Sequence, residues 1–61
     1  MLNIRQLEIK IQSSNLVIEE AKKKYEQAED EKDFYTMAFY QSVIDMHTEK
    51  IKNCQELMNK L

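Results

Sequence analysis

Apolar residues recur along this chain in two heptad tracks. In the first, Ile4, Ile11, Ile18 and Tyr25 take position a, and Leu7, Ser14, Ala21 and Ala28 take position d. In the second, a falls at Met37, Ile44, Ile51 and Met58, and d at Tyr40, His47, Cys54 and Leu61. Only Ser14 and His47 interrupt the two apolar stripes. A strand-like alternation runs through Leu7, Ile9 and Ile11, but it stops at the run Leu16-Val17-Ile18, so the helical period predicts the structure. The tracks are out of phase. Continued, the first would put Lys32, Phe39, Met46 and Asn53 at a, and Tyr35, Ser42, Glu49 and Glu56 at d, which is no apolar seam. The register therefore breaks across Glu29-Asp30-Glu31-Lys32-Asp33.

Charge supports a break there. Lys22, Lys23 and Lys24 fall late in the first helix, and Asp30, Glu31 and Asp33 lie where the second begins, as the helix dipole favours. Asp30 or Asp33 is suited to cap the second helix. The expected fold is all-α: one domain over residues 1–61, with helix 1 about 3–28, a loop about 29–32 and helix 2 about 33–60. Two matched helices on a short link make an antiparallel, coiled-coil-like hairpin. One long rod is the competing architecture.

The expected seam comprises Ile4, Leu7, Ile11, Ile18, Ala21 and Tyr25 against Met37, Tyr40, Ile44, His47, Ile51, Cys54 and Met58. More apolar side chains lie outside it. Leu2, Ile9 and Leu16 recur at f with Val17 beside them; on helix 2, Phe39 and Met46 fall at c and Tyr35 lies one turn before Phe39. A lone hairpin buries little surface. These seven residues are thus the expected interface, and two hairpins turned end over end would make a dimeric four-helix bundle.

Composition narrows the chemistry. The chain has no Gly and no Pro, so it lacks Gly-rich phosphate loops, while a third of its residues are charged. A net charge of −2 does not draw it to nucleic acid or anionic membranes. Three adjacent lysines point around a helix rather than forming one patch. The lone Cys54 cannot form an internal disulfide, and nothing reads as a signal sequence or membrane span, so the cytoplasm is the default compartment. His47 lacks ligand partners at helical spacing and reads as a partly buried seam residue, hydrogen-bonded or stacked on a twofold mate. Cys54 reads as a small core residue. No metal, cofactor or enzymatic activity is expected. The aromatics Tyr25, Phe34, Tyr35, Phe39 and Tyr40 gather near the predicted turn, where they either plug the bundle end or anchor a partner; an exposed Phe39 would favour the anchor.

The plan is similar, in length and architecture, to copy-control RNA-binding hairpins of the Rop type and to the small helical chaperones of type III secretion needles. Gln55-Glu56-Leu57 resembles the middle of the Ser-Gln-Glu-Leu-Asp signature of sporulation-control aspartyl-phosphate phosphatases. Cys54 and Met58 replace its Ser and Asp, so no family is assigned. The expected function is a non-enzymatic protein–protein interaction module: an inhibitor, adaptor or chaperone packing helix on helix. The alternative is a nucleic-acid-binding hairpin using Arg5, Lys22, Lys23, Lys24 and Lys32.

Overall fold

The computed structural model describes residues 3–61. Two helices, α1 (Ile4–Asp30) and α2 (Phe34–Lys60), pack against each other as an antiparallel hairpin measuring 44 × 15 × 14 Å. Each is 27 residues long, so the long dimension is close to that of one helix at about 1.5 Å per residue. The expected all-helical hairpin is the observed fold.

Local chemistry sets each helix end. At the start of α1, the Asn3 side chain accepts from the Gln6 amide at 2.9 Å, and the Gln6 side chain accepts from the Asn3 amide at 3.3 Å. This reciprocal capping box satisfies two backbone donors that the first turn would leave unpaired. At the start of α2, Asp33 is the cap. Its carboxylate accepts from the Thr36 amide at 3.2 Å and from the Thr36 hydroxyl at 2.6 Å. Of the two candidate caps only Asp33 serves α2, because α1 continues through Asp30.

The turn is short. The Asp33 amide donates to the Ala28 carbonyl at 2.8 Å, and the Lys32 amide donates to the Glu29 carbonyl at 3.1 Å. These are the two bonds of a Schellman closure, with Lys32 in the left-handed position at φ 58°. Glycine usually takes that position. A chain without glycine makes the same turn with a lysine bearing the strain.

The turn also sets the helix pairing. Ala28 and Asp33 have residue numbers adding to 61, as do Ser14 and His47, whose side chains meet farther along the seam. The same register sets Ala21 opposite Tyr40 and Leu7 opposite Cys54. Small residues on one helix thus oppose large ones on the other, which lets the backbones approach. On α1 the buried side chains are Leu7, Ser14, Ala21 and Ala28; on α2 Cys54 is buried. Leu7, at 1% exposure, is the fully buried large side chain. Ile11, Ile18 and Tyr25 on α1, and Met37, Tyr40, Ile44, His47, Ile51 and Met58 on α2, are half-buried, while Ile4 is exposed at the open end. A pair of helices encloses only the line where they touch, so the flanks of the a and d side chains stay in water.

Candidate functional site: exposed apolar side chains and a cationic groove

The residues expected to form an interface are uncovered. On α1, Ile9, Leu16 and Val17 are exposed; on α2, Tyr35, Phe39 and Met46 are exposed. Exposure reaches 88% at Tyr35, 65% at Leu16 and 59% at Phe39. Leu2 lies outside the described residues. Phe39 stands edge-on to Tyr40, with centroids 5.0 Å apart and planes at 86°. Tyr40 is half-buried, so the seam props an exposed Phe39. The aromatic group divides accordingly: Tyr25 and Tyr40 fill the seam, while Phe34, Tyr35 and Phe39 face solvent.

The two flanks of the hairpin differ. Beside the a positions lie Arg5, Gln12, Glu19 and Glu26 of α1 and Gln41, Asp45, Thr48 and Lys52 of α2, a polar surface apart from Phe34 and Ala38 near the turn. On this flank the Gln41 amide donates to Asp45 at 2.9 Å. Beside the d positions lie Val17 of α1 and Phe39, Val43, Met46 and Leu57 of α2, among polar residues that include Gln6, Glu20 and Lys24. This second flank also holds a groove of about 410 Å³. Ile9 and Val17 form apolar walls, Lys10 and Lys50 stand on α1 and α2, and Ser14, His47 and Cys54 reach it from the seam.

His47 and Ser14 form the polar centre of the seam. The His47 Nδ1 and the Ser14 hydroxyl oxygen are 3.2 Å apart. Ser14 is 6% exposed and its hydroxyl is paired by this bond. A hydroxyl at a buried position is thereby satisfied across the helices. Of the readings for His47, the partly buried, hydrogen-bonded seam residue is the one observed within the chain. Cys54 is buried and carries a free thiol.

The Asp33 carboxyl, at the turn, lies below its ordinary value of 3.8. The Thr36 hydroxyl bond is the main cause, followed by the Thr36 amide and the Tyr35 backbone. This is capping chemistry at an exposed turn.

These features define a helical hairpin that leaves several large apolar side chains exposed. The sequence matches the family described as Ferritin-like domain over residues 4–61, and the chain belongs to that family. No curated protein and no solved structure matches it. Ferritin-like domains are four-helix bundles with one long crossover, and this chain spans two helices.

Family membership corrects one expectation. The sequence alone predicts no enzymatic activity, yet the ferritin-like fold houses di-iron and di-manganese carboxylate chemistry. The fold therefore provides no ground for a non-enzymatic reading. That metal centre takes inward-facing glutamates and Glu-x-x-His pairs. Here the described seam positions carry no carboxylate, and Ile44 stands three residues before His47. Among the described residues no three His, Cys, Asp or Glu side chains gather to hold a metal. The described residues of this hairpin do not fit a di-iron centre. Among the described residues no helix is long and apolar enough to cross a membrane.

Sequence reasoning missed the cationic groove. It singled out Lys22, Lys23 and Lys24 because they are adjacent, and all three are exposed around α1. Lys10 and Lys50 lie 40 residues apart and come together only through the hairpin register.

Proposed function

We propose that the chain is a helix-on-helix interaction module that supplies half of a four-helix bundle, and that a second copy supplies the other half. Exposed apolar side chains support this reading: six of the expected interface residues are uncovered, Val17, Phe39 and Met46 on the flank beside the d positions and Ile9, Leu16 and Tyr35 on the backs of the helices. Monomeric proteins keep contiguous apolar patches small, and larger ones mark association sites. Turned end over end, two copies bring Ile9 and Leu16 of each against Tyr35, Phe39 and Met46 of the other. Phe39 and Tyr35 then act as anchors, since aromatic side chains give much contact area for little ordering cost. The polar flank stays outside, free for a partner protein. A buried free thiol suits a reducing compartment such as the cytoplasm.

Sedimentation equilibrium tests the reading. The wild-type chain is expected to be dimeric at tens of micromolar. Burying Leu16 contributes about 1.5 kcal/mol per copy, so Leu16→Ser weakens the dimer by about 3 kcal/mol. Phe39→Ser acts in the same direction. Both variants should keep the helical circular dichroism signal, because neither side chain lies in the seam. A wild-type monomer at that concentration would overturn the proposal.

A further inference from the structure

Two lysines in this hairpin lack what the other helical cations have. Arg5, Lys22, Lys23, Lys24, Lys52 and Lys60 each have a glutamate three or four residues away, within reach on the same helix. Lys10 has Gln6, Leu7, Ser13 and Ser14 at those spacings, and Lys50 has Met46, His47, Asn53 and Cys54. Neither set contains a carboxylate. These same two lysines line one groove, and no carboxylate lines it with them. Lys10 lies one turn before Ser14 on α1 and Lys50 one turn after His47 on α2, so both border the same end of that pair.

Two like charges face one concavity, then, without a counter-ion on either helix. Left unpaired they oppose closure of any apolar partner over this flank, because desolvating a charge without a partner is costly. The rest of the groove supplies what an anion needs. Ser13 contributes a hydroxyl and Asn53 an amide, and the His47 ring lies beside them. A compact oxyanion between the lysines could be gripped from both helices at once, with Ile9 and Val17 limiting its hydration.

We infer that the groove between Lys10 and Lys50 binds a compact oxyanion of the phosphate or sulfate class, and that occupancy favours docking of the second copy over the same flank. The coupling rests on the self-association reading above; the binding does not. An anion that neutralises both lysines removes the repulsion opposing closure. Screened surface charge pairs of this kind change an equilibrium by about two- to five-fold.

Inorganic phosphate is the probe, compared with chloride at equal ionic strength. Amide chemical shifts of the full chain should move saturably at Ser13, Ser14 and Asn53, and Lys10→Gln combined with Lys50→Gln should abolish the movement. Phosphate should tighten the dimer about two- to five-fold. The double variant should dimerise in chloride at least as tightly as wild type does in phosphate, and should not respond to phosphate. Absent or non-saturating shifts, or shifts that survive in the double variant, would overturn the site. A double variant that dimerises more weakly than wild type in chloride would overturn it too, since the lysines would then pair with carboxylates of the second copy. A chain that binds phosphate but stays monomeric would overturn the coupling and the self-association reading, and leave the site standing.

Discussion

The Ser14–His47 bond lends itself to a double-mutant cycle in which the two single changes differ in sign. Ser14 is buried and His47 is half-buried, and their contact is 3.2 Å. Ser14→Ala leaves the Nδ1 edge of His47 in the seam without its partner. Orphaning a buried polar group costs about 1–3 kcal/mol, and a half-exposed ring recovers some water, so about 1–1.5 kcal/mol is expected. Alanine is the better helix former by about 0.5 kcal/mol, which brings the net loss to about 0.5–1 kcal/mol. His47→Leu is different. It orphans Ser14, but a serine hydroxyl in a helix can turn back to the carbonyl four residues earlier. The added apolar contact then leaves this variant as stable as wild type or more so. The double variant Ser14→Ala/His47→Leu should be the most stable of the four, with a coupling energy of about 1 kcal/mol. Urea unfolding followed by far-UV circular dichroism measures all four, at one protein concentration because self-association shifts apparent stability. Effects that add within about 0.3 kcal/mol would refute the claim that the pair acts as a unit.

Two further outcomes follow from the turn. Lys32 holds φ 58°, where a side chain costs about 1–2 kcal/mol. Part of that gain is lost to the greater freedom of unfolded glycine, so Lys32→Gly should stabilise the hairpin by about 1 kcal/mol and raise Tm by about 4–8 °C; an unchanged or lower Tm in a thermal melt would contradict the strained-turn reading. The Asp33 carboxyl is lowered chiefly by the Thr36 hydroxyl bond, so its contribution is present above 3.8 and is lost as pH falls below it through the depressed folded value. Thermal melts between pH 5 and 2 should therefore show a smaller acid loss in Asp33→Asn, which keeps an acceptor without titrating; identical acid profiles would remove Asp33 as a source of that loss.

Much of the architecture was legible because helix formation is written at short range. Apolar residues three and four apart identify α1 and α2, and the phase shift between the tracks marks the turn without any glycine or proline. Exposure of Leu16, Tyr35 and Phe39 also follows from spacing, since f and c positions point away from a two-helix seam. Pairing across the hairpin was not legible. It depends on where the turn closes, and a Schellman bond between Asp33 and Ala28 sets that to a single residue. Asp30 and Asp33 were equivalent caps until α1 continued through Asp30 and left Asp33 to bond Thr36.

Sequence by itself therefore determined the two helices, their apolar stripes and the surplus of apolar surface, because each reflects neighbours on the same turn of chain. Tertiary structure alone decided which residues meet. It gave the buried Ser14 hydroxyl a partner in His47 and brought Lys10 and Lys50, remote in sequence and each without a local carboxylate, to one groove. Lateral contacts between antiparallel helices depend on the register of the turn, and no periodicity within either helix encodes that register.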